Sequence, residues 1–307
     1  MIEPIDNLLL QHFYSALERI APNKADDLRK ILDKHKLRVE IEDTNEPFRF
    51  HVFPDLQKIG VGNGALRRLW ATACGYAYRY QPIADAKQQQ EFDLKSNDRM
   101  QAASMLLKWT IEAECDIAWA RKAGEPIPQI DWPSDLPWPT QDPEPASGQD
   151  VADELFSCAF AFFLCHELAH IWLGHKLSEN AGKMRRFEDE ADMAAAEWML
   201  GGLDQNDKTF RKLALGVALA LGWFASVTVF VPDEQVFHSS SCERLYRVID
   251  SFVTDKNHKV WSFTGIILRA TMEADRMDYN ENREATSFKD DVKYCISVFK
   301  KHQAQIH

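Results

Sequence analysis

The sequence predicts an α+β fold, mainly helical, with a small antiparallel sheet in its N-terminal part. Three observations carry this. Apolar residues recur at helical spacing through most of the chain, as in Leu155, Phe156, Ala159, Phe160, Phe162 and Phe163. Strict apolar/polar alternation is confined to two short stretches, Leu37–Glu42 and Phe48–Phe53, joined by the turn-forming run Asp43-Thr44-Asn45-Glu46-Pro47. A proline-dense break, Gly124–Gly148, then separates this part from a second helical half.

Taken in order, Leu8, Phe13, Leu17 and Ile20 mark an amphipathic helix over Asn7–Ile20, and a second helix spans Ala25–His35. The two alternating strands follow, with Lys58–Val61 as a third. Helical periodicity returns over Gly64–Arg79 and Asn97–Ala123. The break at 124–148 holds seven prolines and two tryptophans, Trp132 and Trp138, which excludes helix and central strand. A structureless run of this length is a linker or a functional loop, and the tryptophans favour packing on the body as a cover at the mouth of a cleft. The expected organisation is therefore an N-terminal α/β part over 1–123, a Pro/Trp-rich loop or linker over 124–150 and a helical part over 151–307 with the active site, or all of these as one continuous domain. The strands of the first part are the candidates for holding an extended substrate at a sheet edge.

In the second half a helix is expected from about Val151 to Trp172, a turn at Ser178–Gly182, and a further helix beyond it. Leu213–Val231 runs 19 residues without a charge, long enough to span a membrane. It is rich in small residues (Ala214, Gly216, Ala218, Ala220, Gly222), which suits close helix packing, so a helix buried in the core is expected. Lys259–Met277 and Phe288–Lys301 also read as helices.

Composition narrows the function classes. The 307 residues carry 47 acidic and 36 basic side chains, a net charge of −11, with no Lys/Arg-rich block, so the footprint of direct nucleic-acid binding is missing. The six cysteines (Cys74, Cys115, Cys158, Cys165, Cys242, Cys295) show no paired spacing and read as reduced thiols. Met1–Asp6 has no basic region leading into an apolar run. A cytoplasmic protein without stable membrane insertion is expected.

The chemistry is concentrated in Cys165–His175 and Phe187–Asp192. The first contains His166-Glu167-x-x-His170 on the expected helix. Positions four apart share a helix face, so His166 and His170 both point at one metal ion, with Glu167 beside them to take a proton from the attacking water. Buried in so apolar a helix, these polar groups would be costly without a metal or other partners. On the next helix Glu188 gives a third ligand, and Asp192, one turn on, orients a histidine ligand. Glu188 is preferred to Glu190 because Asp192 then shares its face and Ala191 and Ala195 let the histidine helix approach. The alternative, a third histidine in the metzincin register, fails: Gly174 and His175 fall four and five residues after His170, so His175 reads as a helix-end or surface histidine. His238, followed by Ser239–Ser241 as candidate caps, reads equally as a donor to an oxyanion or as a plain loop histidine.

With these residues in view, the chain resembles the Lit family of bacterial phage-exclusion peptidases. The resemblance runs over most of its length, including Ile20-Ala21-Pro22, Glu91-Phe92-Asp93-Leu94, Leu106-Leu107-Lys108-Trp109 and both metal motifs. It includes a His-x5-Arg element matched by His238 and Arg244, although Ser239 replaces the proline that more distant gluzincins carry there. The resemblance implies a zincin-like fold, Zn2+ held by His166, His170 and Glu188, and Glu167 as catalytic acid/base. It also implies cleavage of translation elongation factor Tu when a phage-derived peptide is present, an antiviral response that stops translation in an infected cell. Competing readings are another intracellular gluzincin, repressor-cleaving or membrane-associated, which a helix-turn-helix segment or a second apolar span would favour, neither being apparent in the sequence, and a metal-stabilised interaction module without turnover. Glu167 speaks against the last, since a purely structural site needs no base beside the metal.

Overall fold

Local signals account for the order of elements. The computed structural model describes residues 20, 22–42, 44–45, 50–53, 58–86, 98–140, 143–145, 147–176, 180–228, 241–274, 276–280 and 283–306. Within them the chain forms α1 (Pro22–Lys34), β1 (Arg38–Glu42), β2 (Phe50–Phe53), β3 (Lys58–Gly62), α2 (Asn63–Ala86), α3 (Asp98–Ala123), α4 (Gly148–Trp172), α5 (Ala181–Leu200), α6 (Lys208–Thr228), α7 (Ser241–Phe252), α8 (Lys259–Ala274) and α9 (Phe288–Ile306). The expected helix at Asn7–Ile20, the Glu91–Leu94 run and His238 lie outside the described residues, Ile20 excepted.

The two helices that matter most are capped by side chains. Ser147 accepts a hydrogen bond from the Asp150 backbone N–H at the start of α4, and Asn180 accepts one from Lys183 at the start of α5. Each satisfies a donor that the first helical turn leaves without an intrahelical partner. Asp150 in the first turn of α4 adds a favourable charge there.

The sheet differs from the expected antiparallel one. Its order is β1-β3-β2: β2 pairs antiparallel with β3, Phe50 opposite Val61, but β1 pairs parallel with β3, Arg38 opposite Lys58. Alternation tells which face a strand buries, not which strand it pairs with. β3, whose Ile59 and Val61 are buried, takes the centre, while β1, with Arg38, Glu40 and Glu42, suits an edge that charges protect. Lys58 joins Glu42 across this pair at 2.9 Å.

Helix α4 is the axis of the core. It packs on α2, α5 and α6, with β2 against it through Phe50, whose ring stacks on Phe163 at 4.8 Å. Close approach of α6 depends on Gly216, where a Cβ would stand 2.1 Å from that of Cys158 on α4. The apolar run of α6 is thus used for packing behind α4. Helix α4 is itself a second stretch long and apolar enough to cross a membrane, and in each of the two windows 72% is buried inside the protein. One continuous hydrophobic cluster extends from Ile20 to Phe299, taking in residues of both expected halves.

The Pro/Trp-rich segment is not placed as a cover of the cleft. Trp132 packs among Trp70 on α2, Trp109 on α3 and Trp138, and the Trp138 carbonyl accepts from Gln149 in the first turn of α4. At about 1.5 Å per residue, Gln149 lies roughly 26 Å along the helix from His166. Aromatic composition correctly signals packing, but the surface chosen is the far end of the helix.

Candidate metal centre

The site forms where the last two turns of α4 meet α5. His166 and His170 stand one above the other on α4, and Glu188 and Asp192 do so on α5, because both pairs are four apart. Ala191 and Ala195 are fully buried, as side chains this small must be for two helices to come this close. Glu167, the neighbour of His166, is nearly buried as well.

Three groups converge. The Nε2 atoms of His166 and His170 are 3.1 Å apart, and Glu188 places Oε2 3.3 Å from the first and Oε1 3.4 Å from the second. One ligand atom from each residue lies within 4.8 Å of every other. The arrangement fits a metal: a tetrahedral ion with bonds of about 2.0–2.1 Å has ligand atoms roughly 3.3 Å apart. The donor set of two imidazoles and one carboxylate would leave a coordination position for water or substrate. Glu190 does not join this group.

Behind the first histidine stands an ion-paired support. His166 Nδ1 lies 2.9 Å from Asp192 Oδ1, and Asp192 accepts two hydrogen bonds from Arg244 on α7, from Nε at 2.7 Å and from Nη2 at 2.9 Å. Arg244 also reaches Glu188 Oε2 at 3.3 Å, and its guanidinium lies over the Phe224 ring. Asp192 and Arg244 are 1% and 4% exposed, so these charges are taken out of water together.

The electrostatics are asymmetric. Burial alone would depress the His166 pKa, but its contacts with Asp192 and Glu188 outweigh this and lift it to about 10. Burial and the neighbouring His166 charge instead push His170 down to about 3, so it is neutral near pH 7. Burial opposes charge on Asp192, yet the adjacent Arg244 and His166 hold its carboxyl at about 2.

Sequence reasoning gave His175 a helix-end or surface position but not its contact with the site. Helix α4 stops at Trp172, and Gly174, with φ of +68°, takes the left-handed conformation that turns the chain back. The Gly174 N–H donates to Ile171 O and the His175 N–H to His170 O, the paired bonds of a Schellman cap. This brings His175 over the helix end: its Nδ1 is 2.9 Å from His170 Nδ1, its Nε2 is 3.0 Å from Glu190 Oε2, and its ring stacks on Phe187 at 4.1 Å. His175 is thus the helix-end histidine of the two readings, partly buried as a residue and with its side chain turned in, 6% exposed. The glycine two residues past the last helical residue was the available signal.

The Peptidase U49 family matches residues 59–264, which include both helices of the candidate site and Arg244. The chain belongs to the Peptidase U49 family. This U49 chain is also similar to the Cell death peptidase of Escherichia coli (strain K12), 27% identical over 292 residues, 90% of this chain and 93% of that protein. No solved structure matches it. Family and relative agree in being peptidases, which gives the U49 chain a protein or peptide as substrate.

Proposed function

We propose that this U49 peptidase is a zinc-dependent endopeptidase of gluzincin type. The observation that carries the reading is the meeting of His166, His170 and Glu188 at ligand spacing in a buried site. These three residues would hold the ion, which when bound acidifies a water and polarises the scissile carbonyl. Glu167 takes the proton of the attacking water and passes it to the leaving amine. Asp192, held by Arg244, fixes the ring of His166 so that Nε2 faces His170 and Glu188, where it would serve as a ligand. His238 serves as the donor to the oxyanion. The same donor set also suits a non-haem iron centre, and the peptidase family is what favours hydrolysis.

The target we assign is a host intracellular protein, elongation factor Tu, cut in the cytoplasm in a phage-triggered response that ends in cell death. Its support is the resemblance of the sequence and the similarity to a cell death peptidase. Because such a protease would kill the cell that makes it, activity requires a phage-derived peptide, acting on the protease or with the factor. The test mixes purified protein and factor with and without phage peptides, beside a Glu167→Gln control, and reads fragments by mass spectrometry. Peptide-dependent cleavage by the wild type alone is expected. Rapid cleavage without peptide would remove the trigger, and an intact factor under every condition would remove the substrate.

A membrane-associated protease is the second reading, favoured by the two helices long and apolar enough to span. Their windows are mostly buried against the rest of the protein, which supports the first. Recovery only with detergent, and not with high salt, would reverse this preference.

A further inference from the structure

The two histidines of the motif are supported by different devices. His166 meets a carboxylate directly, Asp192 at 2.9 Å. Among the described residues His170 Nδ1 faces no carboxylate; it meets a second imidazole, that of His175, at 2.9 Å. The far nitrogen of His175 then meets Glu190 at 3.0 Å. Two ring nitrogens can share a hydrogen bond only if one carries the proton and the other accepts it. If His170 is to offer the Nε2 lone pair to an ion, its proton must sit on Nδ1 and be donated to His175 Nδ1. His175 must then carry its own proton on Nε2, where Glu190 accepts it. Each bond in this series fixes the next.

The geometry points to His175 as a positioning residue for the metal centre, holding His170 in the tautomer and ring orientation that present Nε2, with Glu190 as the outer anchor. The inference rests on the metal reading above. Three features fit it. The Schellman turn at Gly174 fixes the backbone of His175 to His170 by a hydrogen bond of 2.9 Å, so the two rings are registered by the main chain as well as by their side chains. Phe187, one residue before Glu188, stacks on the His175 ring at an interplanar angle of 15°, which sets its plane. Arg186 pairs with Glu190 at 3.2 Å and so keeps the anchoring carboxylate in place. Both ligands from α4 are thereby tied to α5: His166 through Asp192, and His170 through His175 to Glu190.

The test measures metal affinity, not turnover. Zinc is titrated into the full metal-free chain against a chromophoric chelator, and cobalt is followed by its visible absorption. His175→Phe keeps the stacking on Phe187 but removes both nitrogens, and loss of such outer support should weaken metal binding roughly 10- to 100-fold. His175→Asn restores a group that can accept from His170 Nδ1–H, and should recover to within about threefold of wild type. Circular dichroism of the metal-free variants checks folding, and Glu190→Gln, which keeps an oxygen facing His175, provides a milder second variant with a loss expected to be less than about tenfold. Wild-type affinity in His175→Phe, or an Asn variant as weak as the Phe variant, would overturn the inference. His166→Ala separates the two levels. If wild type binds and His166→Ala does not, a silent His175→Phe removes only the positioning role; if wild type itself binds neither metal, the centre and this inference fall together.

Discussion

Arg244 on α7 grips both oxygens of Asp192 on α5, at 2.7 Å and 2.9 Å, although the two residues are 52 positions apart in sequence and both are buried. This pair closes the back of the site, because the same carboxylate faces His166 Nδ1. A buried ion pair is a weak net stabiliser when intact but costly when half removed.

Arg244→Met is therefore expected to destabilise the fold by up to about 3 kcal/mol, since Asp192 and Glu188 lose their buried guanidinium partner and His166 is left as the one cation between them. Denaturant unfolding of the metal-free protein measures this. The double variant Arg244→Met/Asp192→Leu should recover a large part of the loss while leaving metal binding weak, because His166 no longer has its support.

Metal uptake should release protons. A histidine ligand binds as the neutral ring, and His166 is held protonated up to about pH 10 by Asp192 and Glu188. Near pH 8, calorimetry in buffers of different ionisation enthalpy should report about one proton released per ion, with affinity rising about tenfold per pH unit toward 10. The sign for folding is opposite. A raised histidine pKa stabilises the metal-free fold fully below its ordinary value near 6.5, and that contribution is lost as pH rises through about 10. Zero proton release near pH 8 would contradict the assignment.

Gly216→Ala should cost about 1–3 kcal/mol, because the added methyl would meet Cys158 and the α4 backbone and force the helices apart. Thermal unfolding checks it. A stability equal to wild type would show that α4 and α6 do not pack this closely.

These contacts show what could be read before the structure. Helical periodicity paired His166 with His170 and Glu188 with Asp192, each pair on one helix face, while the meeting of the two faces was legible only in the small side chains of Ala191 and Ala195. Arg244 was reachable only through family resemblance: no local rule relates it to a residue 52 positions away. His175 could be read as a helix-end histidine but not as a neighbour of His170, because the 3.6-residue period ends with the helix at Trp172 and its position depends on the left-handed turn at Gly174. The buried role of the apolar run in α6 was visible in its small residues. Strand order was not, since the choice of β3 as the central strand depends on what the sheet packs against. The tryptophans of the Pro-rich segment announced packing, but they could not say that the partner would be Trp70 and Trp109, far from the metal site.

Exchange of one atom should separate binding from chemistry. Glu167→Gln keeps the size of the side chain but not its basicity, so it should bind metal like wild type and lose roughly 10²- to 10⁴-fold in cleavage rate. Cleavage of a susceptible substrate and chelator titration, run on the same sample, compare the two. A variant that cleaves at the wild-type rate would remove Glu167 from the mechanism.

The most direct test of the centre is elemental analysis of the purified chain and four single variants. Wild type and Glu190→Ala should each carry about one zinc per chain at saturation, while His166→Ala, His170→Ala and Glu188→Ala should carry little. A wild-type chain that takes up no zinc, or a Glu188→Ala variant that keeps it while Glu190→Ala loses it, would contradict the account.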